Sequence, residues 1–215
     1  MVFYFEDAAL LQTKAYEKYL PLLPAERRAK ALSYRRAADR NCCVFAWLLL
    51  HYACREQGYA LRQLRLQVGA FGKPFFSGPG VLHFNLSHCS QGAACGISTA
   101  AIGIDMQEMV YDYESIWDRA CSPGEKKRIQ QDRDPVRRFT AFWVLKEAYL
   151  KCLGTGLDDD LARLDFQGMQ GGQGWFYDCC FQLWERSGCL LAQCTARPEA
   201  ELRAVSLEEL AACAQ

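Results

Sequence analysis

AWLLLHYACREQG (46–58) lies over FWVLKEAYLKCLG (142–154) without a gap, at a constant offset of 96 residues. Upstream, Glu26-Arg27-Arg28 matches Glu125-Lys126-Lys127 at an offset of 99, so an insertion of three residues separates the two matching blocks. Each long stretch is apolar on nearly every face, which is the pattern of a buried helix. Short β-like pieces follow the first: LRLQV (64–68), a strand over 81–86 beginning at Val81, AACGIS (93–98) and AIGIDM (101–106). Gly72, Pro74, Gly78, Pro79, Gly80 and Gly92 punctuate them. WFYDCCFQLW (175–184), read as one strand, and CLLAQCTA (189–196) follow the second. The order predicts a mixed α/β (α+β) fold of two similar halves, residues 1–100 and 101–215.

Outward from these blocks, a polar helix is predicted over 25–40, running without a break into 41–54 and stopping at Gly58. A second helical region is predicted over 122–153, and a short helix over 206–212 opens on the capping box Ser206-x-x-Glu209.

The 215 residues carry 25 Lys+Arg against 25 Asp+Glu and are 51% hydrophobic, the profile of a soluble globular chain. Zero net charge argues against a surface devoted to nucleic acid or anionic membrane. The longest apolar run, residues 42–50, is half of the ~18 residues that a membrane span needs. Glu6 and Asp7 stand where a signal peptide carries cations and then apolar residues, so a cytoplasmic location is expected. Twelve cysteines include two adjacent pairs but no C-x-x-C, which disfavours zinc ribbons and redox motifs; core-filling thiols without disulfides are expected. The basic run Arg27, Arg28, Lys30, Arg35, Arg36 and Arg40 is broken by Glu26 and Asp39 and has no stacking aromatics. It reads as a solvated helix face, and no nucleic-acid partner is expected.

Chemistry concentrates in residues 139–153, where Lys146, Glu147 and Lys151 interrupt an apolar sequence. At ~100° per residue all three fall in one wedge. That wedge is either an ordinary Glu147–Lys151 pair on a solvated edge or a polar stripe facing an anionic ligand and a metal. The repeat has Leu50, His51 and Arg55 at these positions, so the full triplet belongs to one half. In AIGIDMQE (101–108), strand alternation puts Asp105 and Gln107 on one face and Glu108 on the other. Asp105 with Glu147 offers two hard oxygen ligands suited to Mg²⁺. Lys73 is presented in a turn between Gly72 and Pro74. Ser87 and His88 cannot form a nucleophile pair, because neighbours on a strand point to opposite faces; His88 reads as a hydrogen-bond donor.

GKP (72–74), FNLSH (84–88), GIDMQ (103–107) and FWVLKEAYLKCLGTG (142–156), in this order and spacing, resemble the 4'-phosphopantetheinyl transferases of the larger, Sfp-type class. The resemblance covers the chain from about residue 24 to the final strands. It implies that family's fold, two α/β halves as an intramolecular pseudo-dimer, in a cytoplasmic monomer with no membrane partner. It also implies a holo-carrier-protein synthase reaction: Mg²⁺-dependent transfer of the phosphopantetheine arm of coenzyme A to a serine of an apo acyl or peptidyl carrier protein, releasing 3',5'-ADP. By the same resemblance Asp105 and Glu147 match magnesium ligands, with Gln107 at the third ligand position. Lys73, Ser87, His88, Lys146 and Lys151 match positions at the coenzyme A phosphates, and Arg40, with Arg27, matches the 3'-phosphate neighbourhood. Glu125 matches a carboxylate acting as metal ligand or base, and Lys151 is placed to stabilise the leaving phosphate. This chain departs from the pattern at Gln107, where the family has an acid, and at Cys89, where it has a second serine. Gln107 keeps an alternative in view: a coenzyme A-binding protein without transferase activity.

Overall fold

A computed structural model of the protein describes residues 1–78, 82–156, 161–198 and 201–213. The turn expected at Pro79-Gly80 and the strand start at Val81 lie outside the described residues. The chain opens with β1 (Val2–Glu6), the single-turn helices α1 (Ala8–Leu11) and α2 (Tyr16–Tyr19), then α3 (Ala25–Ser33) and α4 (Ala37–Glu56). β2 (Arg65–Val68) and β3 (Pro74–Ser77) form a separate hairpin, followed by β4 (His83–Cys89), β5 (Gly92–Ser98) and β6 (Ile102–Glu108). After α5 (Trp117–Ala120), α6 (Pro123–Gln131) and α7 (Pro135–Leu153) come β7 (Gln173–Phe176), β8 (Cys179–Arg186), β9 (Cys189–Thr195), β10 (Leu202–Ala204) and α8 (Leu207–Cys213).

Two four-stranded sheets result, ordered β10-β1-β5-β4 and β6-β9-β8-β7. In each, the strand before the long helix pairs with the second strand of a later hairpin: β1-β5-β4 and β6-β9-β8, all antiparallel. The long helix then covers one face, α4 on the first sheet and α7 on the second. Alternation along β1 sends Phe3 and Phe5 into the core under α4, while Val2 turns to the other face. There Val2 and Ala94 meet Ile102, Ile104 and Met106, so the two sheets are joined by a dry contact between their backs.

Three boundaries differ from the sequence reading. The helix predicted over 25–54 breaks between α3 and α4, where Tyr34 and Arg36 take extended backbone. The region 122–153 is two helices: Asp134 caps the second through Arg137 N, and Pro135 sits at its first position, where a missing N–H costs nothing. The stretch 175–184 is a hairpin whose corner, Tyr177-Asp178, takes positive φ at both residues. The tail also crosses the predicted midpoint: β10 pairs parallel with β1, and Val205 and Leu210 enter the core under α4. Among the described residues no helix is long and apolar enough to cross a membrane.

One glycine decides how α7 sits. A Cβ on Gly103 would lie 2.0 Å from the Ala148 carbonyl oxygen and 2.2 Å from the Cys152 nitrogen. Only a bare Cα lets the helix descend onto β6 at this point.

Candidate active site

The site lies where the edge strand of one sheet meets the edge strand of the other. The open edge of β6 is satisfied by side chains of FNLSH rather than by another strand. Ile104 N donates to Asn85 Oδ1 at 2.8 Å and Met106 N donates to Ser87 Oγ at 3.0 Å. Each bond answers a buried N–H that would cost ~1–3 kcal/mol if left unpaired. Strand alternation puts these two side chains, i and i+2, on the same side, so the motif acts as a polar seam.

At the end of that seam stands Asp105, 6% exposed. Its Oδ1 accepts from Ser87 Oγ at 3.0 Å and from Lys151 Nζ at 2.5 Å, while Lys151 also reaches Ser87 Oγ at 3.2 Å. Asp105 Oδ2 is buried without a partner, and so is Glu147 Oε1 on α7. Burial, reinforced by the charge of Asp105 and opposed by Lys151, pushes the Glu147 carboxyl up to about 7. Two buried carboxylates that repel one another, each with an unsatisfied oxygen, are a donor set that fits a hard divalent cation such as Mg²⁺. Gln107 lies one alternation further along the same face, and Glu108 faces away, accepting from Ser90 N at 2.8 Å.

These groups open into a cleft of about 370 Å³, within the ~300–1,000 Å³ of small-molecule sites. Arg27, Lys30, Lys73, His88 and Lys151 line it together with Glu147. Arg27 and Lys30 are one turn apart on α3 and so share a face; the Arg27 guanidinium lies over the Trp47 ring at 4.9 Å. Burial, with Lys151 and Lys30 adding to it, holds the His88 imidazole down at about 4, so it is neutral near pH 7. Lys73 donates to the carbonyls of Ile102, Lys151 and Cys152, tying the GKP turn to the C-terminal end of α7. A cation there also complements the helix dipole.

Of the residues singled out from sequence, the cleft and its carboxylate end bring together Asp105, Glu147, Lys151, Ser87, Lys73, His88 and Arg27. Lys146, Glu125 and Arg40 lie elsewhere. Lys146 is fully buried, and its ammonium donates to Glu125 Oε2 at 2.5 Å, Ala120 O at 2.5 Å and Leu161 O at 3.1 Å, which uses all three of its protons. Glu125 is also fully buried: Oε2 accepts from Ser122 N in the capping box of α6, and Oε1 accepts from Phe166 N. Arg40 donates to Tyr34 O at 2.8 Å and Tyr16 OH at 3.0 Å, holding the α3–α4 corner; Tyr34 in turn meets His88 edge-on at 5.9 Å. Sequence reasoning passed over Lys30, which it counted in a solvated run, although its i,i+3 spacing from Arg27 marks a shared face. It also passed over Asn85, whose pairing across the seam has no local signature.

Residues 101–195 match the 4'-phosphopantetheinyl transferase superfamily. The chain is 27% identical over 173 residues to the L-aminoadipate-semialdehyde dehydrogenase-phosphopantetheinyl transferase of Saccharomyces cerevisiae, covering 75% of this chain and 64% of that protein. It is 26% identical over 145 residues to a 4'-phosphopantetheinyl transferase of Bacillus subtilis, covering 66% of this chain and again 64% of the relative. The match thus spans a little under two thirds of the length of these two relatives. The 4'-phosphopantetheinyl transferase Sfp of Bacillus subtilis strain 168 is 25% identical over 213 residues, covering 93% of this chain and 95% of that one. The matched region, residues 101–195, is centred on the strand and helix that carry Asp105, Glu147 and Lys151, and it is there that the chain is similar to the 4'-phosphopantetheinyl transferase superfamily.

Proposed function

We propose that the protein transfers the 4'-phosphopantetheine arm of coenzyme A to a serine of an apo acyl or peptidyl carrier protein, as a holo-carrier-protein synthase. One observation carries this reading: two buried carboxylates with unsatisfied oxygens, Glu147 in the lining of the cleft and Asp105 bonded to Lys151 at its end, stand beside the cations Arg27, Lys30, Lys73 and Lys151 that line the same cleft. Asp105 and Glu147 would hold Mg²⁺, with Gln107 supplying an amide oxygen or a bound water where relatives of the Sfp type have an acid. The bound ion would neutralise charge on the pyrophosphate of coenzyme A.

The remaining work falls to the side chains of this chain. Arg27 and Lys30 bind and orient the anionic nucleotide, Lys73 adds its positive charge to the same cleft while holding the GKP turn to α7, and neutral His88 donates one N–H to a phosphate oxygen. The serine hydroxyl of the carrier attacks the phosphorus that bears the pantetheine arm. A phosphorus–oxygen bond forms, the bond to the departing 3',5'-ADP breaks, and the serine proton passes to a base in the cleft. Lys151, already bonded to Asp105, stabilises the charge on the departing phosphate; in phosphoryl transfer such positioning and neutralisation supply most of the catalysis. Lys146, Glu125 and Arg40 act at one remove, by fixing the α5–α6–α7 corner and the α3–α4 corner. The two halves, which share strand order and helix placement, are read as a duplicated unit working as a cytoplasmic monomer.

Mass spectrometry of several apo carrier proteins incubated with coenzyme A and Mg²⁺ tests the proposal. A phosphopantetheine mass addition, lost in Lys151→Ala, is expected. Coenzyme A binding with no addition on any carrier would refute transfer and leave binding alone.

A further inference from the structure

Cys152, Cys179 and Cys194 come from α7, β8 and β9, yet their Sγ atoms all lie within 4.8 Å of one another. The sheet register explains the convergence. Phe181 faces Cys194 across the β8–β9 pair, and Cys179 stands two residues before Phe181, so Cys179 and Cys194 are diagonal neighbours on one face. On the other side of β9, Gly103 faces Cys194. Gly103 is also the residue whose missing Cβ lets the Cys152 backbone descend, which brings the third sulfur down onto the first two.

Thiols that merely fill a core scatter among apolar side chains. These three turn their sulfur atoms toward one another. Cys152 and Cys194 are buried and Cys179 is half-buried, which leaves the cluster one side near solvent. The Lys73 ammonium interacts with both Cys152 and Cys194, providing a counter-charge for thiolates. Thiolates around zinc sit ~2.3 Å from the metal and hence ~3.8 Å from each other, so small rotations about χ1 would close the cluster on an ion.

We propose that Cys152, Cys179 and Cys194 form a three-thiolate site for a soft, zinc-like cation, with a fourth position open to water beside Cys179. Soft sulfur ligands select such ions over Mg²⁺, so the site is chemically separate from the carboxylates of the cleft and does not depend on the transfer reaction. Occupancy would pin the last turn of α7, which carries Lys151, to the second sheet.

Co²⁺ serves as the spectroscopic probe. Reduced, metal-free protein is titrated with Co²⁺ in excess Mg²⁺, because only thiolate ligation produces intense sulfur-to-cobalt charge-transfer absorption in the near ultraviolet. The expected result is that absorption saturating at one Co²⁺ per chain and bleached by Zn²⁺. Cys179→Ser, at a half-buried position that tolerates the change, should lose most of the absorption and bind Zn²⁺ at least ~10-fold more weakly. Cys213→Ser, on α8 and remote from the cluster, should match the parent protein. Absence of charge-transfer absorption in folded, reduced protein would overturn the proposal. So would a Cys179→Ser spectrum identical to that of the parent, with circular dichroism confirming that both are folded.

Discussion

Replacing Glu147 by Gln should stabilise the metal-free protein at pH 8. Glu147 is 7% exposed, and burial beside Asp105 raises its carboxyl from an ordinary 4.5 to about 7. An acid whose pKa is higher folded than unfolded binds more protons in the folded state, so stability falls as pH climbs. The loss begins near pH 4.5 and is complete above pH 7. Each pKa unit corresponds to ~1.4 kcal/mol, so the ionised carboxylate costs about 3 kcal/mol at pH 8. Gln keeps the shape and cannot ionise. In EDTA, thermal melts followed by circular dichroism should therefore show the variant melting ~6–12 °C above the parent at pH 8, at ~2–4 °C per kcal/mol for a chain of this size. At pH 4.5 the two should nearly coincide. Mg²⁺ should raise the parent's melting temperature more at pH 8 than at pH 5, and should barely move the variant. A variant that melts at or below the parent at both pH values in EDTA would refute the reasoning, because the carboxylate would then carry no burial penalty for a metal to relieve.

Three further outcomes follow from the same geometry. Lys146→Ala should destabilise the fold by ~3–5 kcal/mol, read by urea denaturation, because it leaves Glu125 charged, buried and without its cation; the pair Lys146→Met with Glu125→Gln should recover most of that loss. Gly103→Ala should cost about 3 kcal/mol or more in the same assay, since the added methyl meets the α7 backbone 2.0 Å away and a helix backbone cannot step aside as a side chain can. Gln107→Glu should lower the Mg²⁺ concentration that supports half-maximal transfer, and an unchanged metal dependence would show that position 107 lies outside the metal's reach.

The features legible in the sequence are those with a local chemical signature. The long helices, the strands at 93–98 and 189–195, the Ser206–Glu209 capping box and the placing of Asp105 and Gln107 on one face all follow from periodicity and caps. What was missed has no local signal. Tyr177-Asp178 turns a hairpin with positive φ but without the Asn-Gly or Asp-Gly pair that usually marks such a corner, and it is hidden in an aromatic run. The α3–α4 break falls at Tyr34-Arg35-Arg36, with no glycine or proline to announce it. The parallel pairing of β10 with β1 joins residues some 200 positions apart, and only the assembled core dictates it. Lys146 shows the limit most plainly. The helical wheel puts it in one wedge with Glu147 and Lys151, but α7 is covered on several sides. The ~100° between adjacent positions is enough to send Lys146 to Glu125 while Glu147 turns to the cleft.

The placing of the site at a seam has a physical consequence of its own. Arg27, Lys30 and His88 stand on elements of the first sheet's side, whereas Asp105, Glu147 and Lys151 stand on β6 and α7. Ser87 couples the two sides through one oxygen, accepting from Met106 N and Lys151 Nζ while donating to Asp105. Neither side alone holds both the carboxylates and the full set of cations. Any ligand that engages both must therefore bind more tightly to the docked arrangement than to a parted one, and by linkage it stabilises the docking by the same free energy. A change at Asn85 or Ser87 that loosens the seam would then weaken an anionic ligand without touching it, and saturating ligand would restore part of the lost stability. For this fold the two four-stranded sheets supply rigidity, and the polar seam between them supplies the site.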